Sequence, residues 1–102
     1  MRYFRLAAEQ GHLKAQFNLG VAYHKGQGVD VDFKEAVKFY QLAVAQGHAS
    51  AHINLGLMYE GGKGVTADPQ EALRLFQLAV DQGNGDAKKM LADRATKKGK
   101  KP

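Results

Sequence analysis

Few residues in this 102-residue chain have the type and spacing that chemistry requires. His48 and His52 stand four apart, a spacing at which one helix face presents two imidazoles to a single metal ion. No cysteine exists to join them, no acidic partner lies close in sequence, and related positions elsewhere in the chain carry His12 and Gln16, the second of which is no ligand. Asp30 and Asp32 pair two carboxylates, but their loop lacks the other acidic and glycine positions of a calcium-binding hand. The Gly-x-Gly pairs Gly26/Gly28 and Gly62/Gly64 follow no strand and lack the third glycine of a dinucleotide-phosphate cradle. Ser50, the only serine, has no His–acid pair at a telling distance. Without a nucleophile or acid–base group set for a water-poor pocket, the sequence reads as a non-enzyme with no metal or other cofactor.

The formal charge of +5 points towards polyanions until it is divided along the chain. Residues 1–87 carry a net of −1 and residues 88–102 a net of +6. A specific nucleic-acid reader spreads Lys and Arg over a folded face with stacking aromatics, and this basic end has no aromatic residue, so no specific nucleic-acid binding is expected. Lys97, Lys98, Lys100 and Lys101 read as a solvated, disordered tail over 97–102, with contact to an acidic partner or anionic membrane surface as the functional alternative. No run approaches the roughly 18 apolar residues of a membrane span. The opening residues lack the apolar core of a secretory signal, and together with the absence of cysteine this favours the cytoplasm.

The elements that would position these residues emerge from self-similarity. With 44% hydrophobic and 25% charged residues the chain has the composition of one globular domain or part of an array. A shift of 36 superposes residues 15–47 on 51–83 with 17 of 33 positions identical, among them Asn18/Asn54, Gly20/Gly56, Tyr23/Tyr59, Asp32/Asp68 and Gly47/Gly83. The frame gives a partial repeat over 1–11, full repeats over 12–47 and 48–83, and a partial repeat over 84–96. Ala15, Leu19, Ala22 and Tyr23 share one helical face, and Ala36, Phe39, Tyr40 and Ala43 another, so each repeat is a helix pair. Six helices are expected, near 2–10, 13–25, 33–46, 49–60, 69–82 and 86–97. Asp32 with Glu35 and Asp68 with Glu71 have the spacing of capping boxes, and Pro69 suits the first helical position. An interior Gly20 or Gly56 costs a helix about 1 kcal/mol against Ala, so close packing must offset it.

The string Ala-Gln-Phe-Asn-Leu-Gly-Val-Ala-Tyr at 15–23, followed by Gly26, Gly28, Val29, Asp32, Ala36, Tyr40, Ala43 and Gly47, resembles the Sel-one-like repeat (SLR) over residues 1–95. The resemblance implies an all-α, right-handed α/α superhelix of antiparallel helix pairs, similar to tetratricopeptide repeats, and a role as an adaptor holding other proteins together. Some secreted bacterial members staple each repeat with a disulfide, whereas this chain resembles a cysteine-free branch.

By the same likeness the first helix of each pair lines a concave groove. Lys14, Phe17, Asn18, Val21 and His24 would face it from one repeat, and Ser50, Ile53, Asn54, Leu57 and Glu60 from the next. Differences at Phe17/Ile53, His24/Glu60 and Lys14/Ser50 beside a shared frame fit a ligand-facing wall, and equally fit drift. Asn18, Asn54 and Lys14 resemble parts of the clamp with which tetratricopeptide domains hold a peptide backbone or terminal carboxylate. Asp86 and Met90 stand where that clamp needs basic residues, which weighs against a carboxylate clamp and favours structural asparagines. The expected partner is an extended or helical protein segment anchored by Phe17, Val21, Ile53 and Leu57. The rival expectation is a self-association module, with Tyr3, Phe4, Leu6 and Ala7 on an apolar N-terminal edge helix available for a homodimer.

Overall fold

The computed structural model describes Leu6 and residues 10–99. Within them lie five helices and no strand: α1 Leu13–Lys25, α2 Phe33–Ala45, α3 Ala49–Gly61, α4 Pro69–Asp81 and α5 Gly85–Gly99. The helix expected over 2–10 falls outside the described residues except at Leu6 and Gln10, and with it Tyr3, Phe4 and Ala7 of the proposed edge. At the other end α5 runs to Gly99, so the backbone at Lys97 and Lys98 is helical where the sequence reading began its tail.

Contacts along α1 and α2 show that the pair is antiparallel. Gln16, near the start of α1, bonds Gln46 just past the end of α2, and His24, near the end of α1, meets Phe33 at the start of α2. Midway, Gly20 faces Tyr40. The hairpins α1–α2 and α3–α4 stack through α2 against α3, and α5 closes on α4, giving an elongated body of 51 × 26 × 19 Å. One apolar cluster, Ala36, Val37, Tyr40, Leu55, Met58 and Leu75, spans α2, α3 and α4, so the two repeats share a core. Each large side chain buried there contributes about 1.5–3 kcal/mol.

The spacing within each pair is set by an aromatic ring lying against a glycine of the facing helix. A Cβ on Gly20 would fall 2.5 Å from Tyr40 Cδ1, and one on Gly56 2.6 Å from Phe76 Cε1. Both rings are fully buried. Their burial is the close packing that the sequence required to offset two helix-interior glycines.

The turns follow one pattern twice. Gly26 and Gly62 end α1 and α3 at φ 72° and 66°, left-handed conformations that glycine adopts without a Cβ clash. The cap aspartates accept from the third helical residue, Glu35 N–H to Asp32 Oδ1 at 3.2 Å and Glu71 N–H to Asp68 Oδ1 at 3.1 Å. The return half of the expected capping box does not form in the second repeat. Asp68 N–H already donates to the Tyr59 carbonyl at 2.9 Å, and Glu71 turns to Arg74, whose Nε lies 2.9 Å from Oε1. Asp32 N–H is likewise taken by the Tyr23 carbonyl at 2.9 Å, tying each loop back onto the helix it leaves.

Residue 48 caps α3 with an imidazole: His48 Nδ1 accepts from Ala51 N–H at 3.1 Å. One repeat on, Asn84 Oδ1 accepts from Ala87 N–H at 2.9 Å. Only a neutral His48 has the lone pair for this bond, and burial, helped by the neighbouring His52, holds its pKa below the ordinary 6.5.

Two outcomes are expected. Gly20→Ala should destabilise by about 1–3 kcal/mol in urea titration, because the overpacking cost against Tyr40 exceeds the roughly 1 kcal/mol that alanine returns in helix propensity; a stabilised variant would contradict the ring-on-glycine contact. The depressed pKa of His48 means that its contribution is complete above 6.5, the unfolded value, and is lost as pH falls through the lower folded value. The melting temperature should therefore fall on acidification below 6.5, and His48→Asn, which keeps a capping oxygen, should flatten that decline; an unchanged profile would contradict the neutral cap.

Candidate functional site

The burial pattern of α1 and α3 separates a core face from an outer one. Ala15, Gln16, Leu19, Gly20 and Ala22 are buried on α1, and Ala51, His52, Leu55, Gly56 and Met58 on α3. All ten residues assigned to the groove lie outside that set: Lys14, Asn18 and Glu60 are exposed, while Phe17, Val21, His24, Ile53, Asn54 and Leu57 are half-buried. Ser50 is half-buried beside them. Apolar anchors in a half-buried state, with polar groups at their margin, are what a segment of another chain can dock onto.

Phe17 and Val21 also pack against the shared core. The Phe17 ring lies 4.6 Å from the His48 ring at 30°, and 6.1 Å from that of Tyr40, so this side chain of α1 reaches the first turn of the next repeat. Two other groove residues meet at one buried hydroxyl. Asn54 Nδ2–H donates to Tyr40 Oη at 3.4 Å, and Tyr40 Oη lies 3.1 Å from His24 Nδ1. Burial pushes the Tyr40 hydroxyl pKa up to about 12, only partly opposed by the Asn54 donor, so Tyr40 stays protonated. Tyr40 is fully buried, and the acceptor in reach of its hydroxyl proton is His24 Nδ1, which a neutral His24 with its proton on Nε2 provides. Burial, then the charges of Lys63 and Lys25, keep the His24 pKa below its usual value, in agreement with that role.

The joint at Tyr40 was not foreseen from the sequence. Its signal was present: the positions 36 residues apart are Phe4, Tyr40 and Phe76, so the hydroxyl occurs once, beside the only histidine at the 24/60 position. Asn54 is thus partly the structural hydrogen-bonder weighed above, with its amide oxygen still an acceptor, whereas Asn18 is exposed on α1.

His48 and His52 spend their Nδ1 atoms on local structure. His48 caps α3, and His52 Nδ1 lies 3.0 Å from the His48 carbonyl and 3.3 Å from the Gln82 amide nitrogen. Gln46 makes the equivalent bond to Gln16 at 2.6 Å, so His52 takes the place of Gln16 in fastening the end of its helix pair. Among the described residues no three His, Cys, Asp or Glu side chains gather as a metal site, and no helix is long and apolar enough to cross a membrane.

The comparisons with known proteins bear on this geometry. The Sel1 repeat model matches residues 1–12, 13–48 and 49–84, the 36-residue period framed one residue later than the boundaries read from the sequence. Among solved structures, the chain is similar to a protective antigen of uropathogenic Escherichia coli strains displaying an SLR fold, at 41% identity and a TM-score of 0.86 over 91% of this chain and 20% of that one. It is similar to a Sel1 repeat protein from Oxalobacter formigenes at 40% identity and 0.85, covering 90% and 69% of the two chains. It also matches cysteine rich protein B of Helicobacter pylori at 27% identity and 0.79, covering 87% and 67%. The chain therefore spans one fifth of the Escherichia coli protein and about two thirds of the other two. No curated protein shows significant similarity to it. The helix pairs, their order and their superposition on these solenoids make the fold the all-α, right-handed superhelix that the motifs implied. With 84 of 102 residues matched by its model, the chain belongs to the Sel1 repeat family, whose members are generally non-catalytic scaffolds for protein interaction.

Proposed function

We propose that this chain is a non-catalytic adaptor that binds an extended or helical segment of a partner protein across the outer face of α1 and α3. The observation that carries this reading is the half-exposure of Phe17, Val21, Ile53 and Leu57 together on the face of two helices opposite Ala15, Leu19, Ala22, Ala51, Leu55 and Met58, which are buried in the core. Phe17 and Val21 are braced from beneath by Tyr40 and the shared core, so this wall loses little side-chain freedom when a ligand arrives. Asn18 and the free oxygen of Asn54 offer hydrogen bonds to a peptide backbone, with Lys14 and Glu60 at opposite ends of the face. Self-association is the rival. It is supported by Leu6, which is 53% exposed, in the partial repeat that precedes α1.

Photocrosslinking from residue 18 in the native host tests the two together. A heterologous protein should be captured, and Leu57→Arg with Glu60→Arg should remove it without changing helicity, because neither side chain belongs to the core. Leu42→Arg, on the outer face of α2, should leave capture intact. Recovery only of further copies of this chain would support the rival, and capture indifferent to the α3 changes would place binding elsewhere.

A further inference from the structure

Where α1 turns into α2, the groove ends in a lip built from two repeats. The Phe33 ring is at its centre, with the His24 ring edge-on at 6.1 Å and Lys63 Nζ over its face at 5.4 Å. Lys63 is held there by the turn between α3 and α4. Its neighbour Gly64 approaches so closely that a Cβ would fall 2.5 Å from the Phe33 carbonyl oxygen, and its φ of 75° also demands glycine. The position of Lys63 therefore depends on repeat stacking rather than on a loose loop.

We propose that this lip recognises an acidic side chain on the bound segment, a Glu or Asp received by Lys63 and by the Nε2–H of His24. The inference rests on the groove reading and adds the chemistry of the partner. Because Nδ1 of His24 is occupied by the Tyr40 hydroxyl, the neutral ring carries its proton on Nε2, and that donor has no acceptor among the described residues. Lys63 and Lys25 form no ion pair among the described residues either, and the Lys63 ammonium lies over the Phe33 ring. Both lysine charges act on His24 in the same direction and no carboxylate offsets them there. Lys63 Nζ and the His24 ring thus flank one Phe33 ring without an acceptor between them among the described residues, and a carboxylate is the group a protein segment can supply to both. Glu60 holds the equivalent place one repeat along, so the preference is for acid at one end only, which fixes the register and direction of the segment.

The test is selection of a displayed library of random 12-residue peptides on the full chain at physiological salt. Groove ligands are those lost with Leu57→Arg, and synthetic versions are measured by fluorescence anisotropy against chains that retain their helicity. The proposal expects Glu or Asp at one fixed place in these peptides and a loss of about tenfold in affinity with Lys63→Glu. Replacing that acid by Lys in the peptide should restore binding to the Lys63→Glu chain. Groove ligands that lack an acid, or that bind both chains equally, overturn the acidic lip and leave the groove standing. A selection that yields no ligand sensitive to Leu57→Arg overturns both.

Discussion

An aromatic ring pressed onto a helical glycine is the constraint on which the rest of this molecule depends. Tyr40 on Gly20 and Phe76 on Gly56 bring the two helices of each pair closer than any side chain at the glycine would allow. That approach fixes which residues of α1 and α3 turn inward and which are left outside. Repeating it after 36 residues yields two hairpins of the same shape, which stack because each has one apolar face still to cover. In α5 the corresponding position is Ala92, and among the described residues no second helix lies on it.

Polar contacts then make the stack specific. The amides of Gln46 and Gln82 fasten one end of each pair, to Gln16 and to His52, while the carbonyls of Tyr23 and Tyr59 hold the aspartate that starts the next helix. Between repeats, Asn54, Tyr40 and His24 form a chain of hydrogen bonds across three helices. Such bonds add modestly to stability, about 1 kcal/mol each, yet they orient groups on the outer face of α1 and α3. The amide of Asn54 and the imidazole of His24 are both set by the hydroxyl of a fully buried Tyr40. An interaction surface built on rigid helices, with its polar groups aimed from below, suits a scaffold whose exposed wall can vary while its frame does not.

Much of this was legible in the sequence because it is written in local or repeated signals. Helical periodicity, the cap residues Asp32 and Asp68, Pro69 and the turn glycines placed α1 to α4 within a residue or so of their observed ends. The need for close packing at Gly20 and Gly56 was readable from helix propensity, although the ring that meets each glycine was not. What remained hidden depends on which residue pairs meet across helices. Glu71 has the spacing of a capping box, but its chain neighbour Arg74 competes for it and Asp68 N–H has a better acceptor in Tyr59. The Tyr40 joint needs three helices in register before a hydroxyl, an amide and an imidazole coincide. His48 looked like half of a metal site and is a helix cap, a role that the Asn84 of the next copy could have disclosed. The residues proposed for the groove were assigned by likeness to other repeats. Their solvent-facing placement follows from the burial of their neighbours, and the lip at Phe33 and Lys63 belongs to a turn that helical patterns do not describe.

The most direct measurement is a double-mutant cycle in urea between positions 56 and 76. If the Phe76 ring on Gly56 sets the spacing of the hairpin, alanine at 56 is costly only while the ring is present, and becomes neutral or favourable once Phe76 is also alanine. The account predicts a coupling above about 1 kcal/mol of that sign. Additive effects of the two changes would contradict it.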